Sequence, residues 1–149
     1  MTASLTLAEV PLWIVPKQWV EVYIGCSTTK ETRRLALEAT RLVFENVDTA
    51  YCDAYNQKAR ENMLYAAHKA GIAFSKSYVG YIHAVAHSLG GQYGTPHGLA
   101  NAVIMPYVLD AYGKSAWRKL HELGIAAGVT TAEDSNEEGA KKFTRFHNS

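Results

Sequence analysis

The chain has 149 residues, is 48% hydrophobic and 19% charged, and carries a formal net charge of +1. That is long enough for one domain with its own core, and too evenly charged to point to nucleic acid or to an acidic membrane surface. Its apolar runs stay short of the ~20 residues that span a bilayer, and no basic segment opens the chain ahead of an apolar one, so neither a membrane partner nor a secretory leader is expected. The two cysteines, Cys26 and Cys52, read as free thiols of a reducing cytoplasm, with one disulfide as the alternative, and no Cys-x-x-Cys supports redox or zinc-thiolate chemistry.

Residues 1–19 are the least regular part, with Pro11 and Pro16 interrupting any helix. Thr28 followed by Glu31 reads as a capping box ahead of Leu35, Ala39, Leu42 and Val43 at helical spacing, which predicts a helix over about 29–47. A second, over about 56–74, puts Met63, Ala67, Ala70 and Phe74 on one face, and its small residues Ala66, Ala67, Ala70, Gly71 and Ala73 admit a close neighbour. A third runs from near Tyr78 to Gly90-Gly91, read as its stop. A fourth begins at Pro96 and reaches about Tyr112, and a fifth spans Lys114 to Ala127, ended by Gly128. Asp134 or Ser135 caps a sixth, where Glu137, Glu138, Lys141 and Lys142 have the spacing of i,i+4 pairs. The expected fold is all-α, a single bundle of five to six helices. Trp13, Trp19 and Trp117 read as packing residues, His68 and His121 as surface or core histidines, and His147 as part of a frayed end.

Three of the six histidines fall between His83 and His97. His83 and His87 are four apart, so they share a helix face; His97 opens the next helix, and the glycine turn between them would bring it to the same point. Neutral imidazole is a common metal ligand, and neighbouring helices of a bundle are a usual place to collect such ligands. Ala84 stands where a His-Glu-x-x-His metalloprotease needs its glutamate, so that chemistry is excluded. Spacing alone leaves open whether the three imidazoles bind a metal or are separate core and surface residues.

The longer string "GYIHAVAHSLGGQYGTPHGLANAVIMP", Gly80 to Pro106, resembles the second signature of the iron-containing (group III) alcohol dehydrogenases at Gly80, His83, Ala86, His87, Gly90, Gly91, His97, Gly98 and Asn101-Ala102. The likeness extends over roughly residues 20–142, through "ETRRLALEATRLVFENV", "ARENMLYAAHKAGIAFS" and "LHELGIAAGV". It implies the helical, dehydroquinate synthase-like half of a two-domain enzyme whose other, α/β half binds NAD(P). It implies a divalent metal, Fe2+ or another such as Zn2+, held in the family by one aspartate and three histidines. His83 and His97 match the last two of these ligands, and His87 matches a residue beside the nicotinamide and the substrate, giving it a catalytic and a cofactor-contacting role. The first two ligands fall in a stretch that ends here as "VEVYIG", Val20 to Gly25; counting back places Ile14 and Gln18 where the family has aspartate and histidine, and neither replaces the ligand well.

The resemblance thus implies an oxidoreductase interconverting alcohols with aldehydes or ketones, cytoplasmic, with a small alcohol or aldehyde substrate. The alternative is a non-catalytic helical metal-binding or interaction fragment of that ancestry. Residues 1–19 are expected to be an atypical segment, and 20–149 a helical metal-binding domain incomplete at its C-terminus. Neither a nucleotide-binding glycine turn after a strand nor the first two ligands is found, so the isolated chain is expected to be weakly active or inactive. The apolar residues of the first segment are expected to lie over the vacated face or to form a homodimer through it.

Overall fold

The structure, a computed structural model, describes residues 18–146 apart from Val79, with the side chains of Gln18 and Phe146 also left aside. Ile14, Trp13, the 1–17 segment and His147 lie outside the described residues, as does the side chain of Gln18. Seven helices follow in order: α1 (Gln18–Ile24), α2 (Lys30–Cys52), α3 (Gln57–Ser77), α4 (Tyr81–Tyr93), α5 (His97–Tyr112), α6 (Lys114–Ala126) and α7 (Asn136–Phe146). No strand occurs among the described residues, and no helix there is long and apolar enough to cross a membrane.

The helix that periodicity missed is α1. Trp19, Val20, Val22 and Tyr23 are all buried, and so is Glu21; a short helix buried all round has no polar face and so no amphipathic signature. It packs against α2, α3 and α6. Around it, α2 buries Leu35, Ala36, Ala39, Thr40 and Val43 along one face. The α3 face that meets it is lined by Ala59, Ala66, Ala70 and Ala73, and these small side chains let the two backbones approach, as the sequence suggests. Lys69 and Glu38, 2.7 Å apart, tie the rims of this pair.

Several expected boundaries move. α2 runs past 47 to Cys52. The cap of α2 is Thr29, whose hydroxyl accepts from Thr32 N at 3.2 Å while Thr32 Oγ1 accepts from Thr29 N at 2.9 Å. Thr28 instead donates to the Gly25 carbonyl, so the Thr28–Glu31 box does not form. Gly90 and Gly91 do not stop the third predicted helix, which starts at Tyr81 and continues to Tyr93. Gly94 ends it, at φ 65, with its N–H on the Gly90 carbonyl, because a left-handed residue is needed once and Gly94 supplies it. At the other end of the molecule Ser135 caps α7, exchanging bonds with Glu138. Lys141 pairs with Glu137 at 2.5 Å, but Lys142 turns to Asp134 at 2.6 Å.

α6 and α7 close on two glycines. A Cβ on Gly124 would lie 2.5 Å from Thr130 Cγ2, and one on Gly139 would overlap the His121 ring. His121 is a core histidine, its ring nitrogens on Asn136 Oδ1 (3.1 Å) and the Thr131 carbonyl (2.8 Å). His68 is exposed. Phe143 of α7, fully buried, reaches Phe44 of α2 with ring centroids 6.3 Å apart. Trp19 is buried, and Trp117 is half-buried beneath Lys114.

Candidate metal centre

The α4–α5 turn, Gly94 to Pro96, folds α5 back along α4 so that His97, the first residue of α5, returns to the helix carrying His83 and His87. The ring centroids of His83 and His97 are 5.2 Å apart, and those of His87 and His97 are 4.8 Å apart. The three imidazoles that the sequence singles out therefore converge, with His97 as the ring common to both contacts. Their settings differ. His83 is 2% exposed, while His87 and His97 lie open to solvent.

His83 is held by two neighbours. The Phe74 ring of α3 lies with its centroid 5.3 Å away. Glu21, 4% exposed on α1, meets the His83 ring through Oε2 and Nδ1. The same carboxylate accepts the first backbone N–H groups of α4, Ile82 N at 2.7 Å and His83 N at 3.3 Å. It thereby caps a helix whose own N-cap, Gly80, has no side chain to offer. The remaining nitrogen, His83 Nε2, is buried and has no hydrogen-bond partner. A buried polar atom without a partner is costly, and here it is a ring nitrogen in a cluster of imidazoles.

Partial desolvation, then repulsion from His83 and His87, pushes the His97 imidazole below the usual range, which favours the neutral ring and its lone pair. One turn on, Asn101 Nδ2 stands 3.0 Å from His97 Nε2, and the Asn101 Oδ1 atom is buried without a partner. Glu21 also makes itself felt at Tyr112, whose phenol is pushed up by burial first and by the Glu21 charge second.

A divalent cation suits this chemistry. It takes neutral imidazole nitrogens, and its histidine ligands hand their second N–H to a carboxylate, which is the arrangement of Nε2, His83 and Glu21. The fit is that of a partial donor set: among the described residues no three His, Cys, Asp or Glu side chains enclose a metal by themselves. Glu21 is the functional candidate that reading the sequence missed. Its signal was present, a single carboxylate inside the apolar run "WVEVYI", because a charge is buried there only if it is paired.

Comparison with known proteins adds the following. The model of the Fe-containing alcohol dehydrogenase family, C-terminal, matches residues 19–149. Alcohol dehydrogenase 4 of Saccharomyces cerevisiae is 38% identical over 120 residues, covering 79% of this chain and 31% of the yeast protein. The 1,3-propanediol dehydrogenase of Citrobacter freundii is 48% identical over 89 residues, 60% of this chain and 23% of that protein. In three dimensions the chain is similar to a crystal structure of 1,3-propanediol oxidoreductase, with a TM-score of 0.83 at 34% identity over 91% of this chain and 35% of the other. An alcohol dehydrogenase from Oenococcus oeni gives the same TM-score, 0.83, at 30% identity. The chain spans less than a third of the length of these two curated relatives.

Proposed function

The chain belongs to the iron-containing alcohol dehydrogenase family, and from that membership we propose that it forms the metal-holding helical part of an NAD(P)-dependent oxidoreductase acting on small alcohols and their aldehydes or ketones. His83 and His97 would hold the divalent ion, Fe2+ or another such as Zn2+. The observation that carries this reading is the buried, partnerless Nε2 of His83 beside the His97 ring. With two donors from the described residues, the other positions fall to water or to residues outside them. When bound, the ion supplies Lewis-acid polarisation of the alcohol or carbonyl oxygen and the nicotinamide supplies the hydride carrier.

The residues of this chain do the rest. His83 is fixed by Glu21 and Phe74, so its donor nitrogen is preorganised. His87 would contact the cofactor and pass a proton between substrate and solvent; its exposure beside His97 supports this role. The free, exposed thiols of Cys26 and Cys52 support a cytoplasmic location. Leu99, Val103 and Tyr107, exposed at successive turns of α5, support burial of that stripe in self-association, which light scattering would report.

Equilibrium dialysis of the 149-residue chain against Zn2+ tests the reading. Wild type should bind, His83→Ala and His97→Ala should not, and His68→Ala should bind as wild type does. Failure of the wild type to retain any ion would overturn it.

A further inference from the structure

We propose that Glu21 is a positioning residue that sets the tautomer of His83, so that its Nε2 presents a bare lone pair; the consequence for metal binding rests on the reading of His83 as a ligand given above. A carboxylate only accepts hydrogen bonds. Glu21 Oε2 is in contact with His83 Nδ1, so the ring proton belongs on Nδ1. A neutral imidazole has one proton, which leaves Nε2 as an acceptor or metal donor. Both partners are buried, at 2% and 4% exposure, so water does not compete for the proton.

The carboxylate is itself held in register. It is bound by the N–H groups of Ile82 and His83 at the start of α4, where the helix dipole favours a negative charge. It is also crowded against Gly80: a Cβ at that position would fall on Oε1, and would lie 2.9 Å from Cδ. Gly80 takes an ordinary extended conformation, φ −98, so its lack of a side chain answers a need for space and not for backbone freedom. Residues 61 and 62 positions apart in sequence thus act as one unit, in which α1 fixes the ring orientation of a residue on α4.

Two substitutions separate position from fold. Glu21→Gln keeps the shape but turns one acceptor oxygen into an NH2 donor. Either His83 Nδ1 then faces a donor and its proton moves to Nε2, or a backbone N–H of α4 loses its partner. Gly80→Ala keeps the carboxylate and displaces it. The experiment is nitrogen-15 NMR of the histidine rings in the metal-free 149-residue chain, with His83 assigned by its loss in His83→Ala, followed by Zn2+ titration calorimetry. The wild-type spectrum should show His83 protonated on Nδ1 and bare on Nε2. Both variants should shift that ring toward the other tautomer and weaken Zn2+ binding by about 10–100-fold, the usual effect of losing such an outer partner. A proton on Nε2 in the wild type overturns the proposal whether or not either variant folds. So does Glu21→Gln with an unchanged His83 spectrum and unchanged Zn2+ affinity. If the wild type shows the Nδ1–H tautomer but takes no Zn2+, the assignment of His83 as a ligand fails while that of Glu21 as its positioning partner stands.

Discussion

Alanine at two helical glycines should move stability in opposite directions. Gly71 lies inside α3, exposed, with nothing within 4 Å of a Cβ built on it. Gly71→Ala therefore gains only the lower entropy cost of ordering alanine, about 0.5–1 kcal/mol in a helix interior. Gly139, buried in the first turn of α7, gains the same increment but places its Cβ on the His121 ring, 3.0 Å from Nε2 at the farthest of the three contacts. That ring cannot swing away freely, because its two nitrogens bond Asn136 and the Thr131 carbonyl. Overpacking of this kind costs ~1–3 kcal/mol, and giving up one of the two bonds adds ~1 kcal/mol. The net expectation for Gly139→Ala is destabilisation of about 1–3 kcal/mol. Urea unfolding followed by helical circular dichroism resolves both signs through the midpoint, provided the slope is unchanged. A Gly139→Ala chain as stable as Gly71→Ala would refute the claim that α6 and α7 meet on that glycine.

Three further outcomes follow from other parts of the bundle. Thr29→Ala should cost ~1 kcal/mol as the lost cap of α2, while Thr28→Ala should cost distinctly less, since its hydroxyl bonds no backbone N–H of α2; equal midpoints in urea would contradict the observed cap. Asp134 is held well below the usual carboxylate range by Lys142 first, then by Thr130 and Thr131. A depressed folded pKa gives a stabilisation that is fully present above the unfolded value of ~3.9 and is lost only as pH falls on through the folded value. Asp134→Asn should therefore unfold earlier than wild type at pH 7, still do so at about pH 3, and approach it only at more acid pH, in the same assay. Phe143→Ala removes a fully buried ring at the α2–α7 contact and should cost about 3–5 kcal/mol, read as a large drop in melting temperature; a drop comparable to that of an exposed residue such as Tyr55→Ala would argue against the contact.

The parts of the fold that were legible in the sequence are those where one helix face is apolar and the other is not. α2 declared itself through Leu35, Ala39 and Val43, and α3 through its alanines, because each is half in water. The boundaries were harder where several residues could do the same job. Two adjacent threonines could each cap α2, and the choice fell to Thr29 because Thr28 was taken by the Gly25 carbonyl. Three glycines could each end α4, and only the geometry of the return to α5 selects Gly94. His83, His87 and His97 were legible as a group, since a helix turn and a short loop suffice to join them.

Glu21 was not legible in the same way, and the reason is physical. Sequence periodicity reports how a residue relates to water, whereas the role of Glu21 depends on what stands opposite it after α1 has packed against the start of α4. A carboxylate among Trp19, Val20, Val22 and Tyr23 says only that a partner must exist. The chain offers fifteen lysines and arginines as well as six histidines, and any of them could have been that partner. Packing leaves the buried charge with His83 and two backbone N–H groups, and no lysine or arginine forms an ion pair with it among the described residues. That choice has a chemical consequence which a lysine partner would lack. An ammonium would be consumed by the pairing, but an imidazole that satisfies Glu21 through Nδ1 still has a second nitrogen to present to the neighbouring ring of His97 and to anything bound between them.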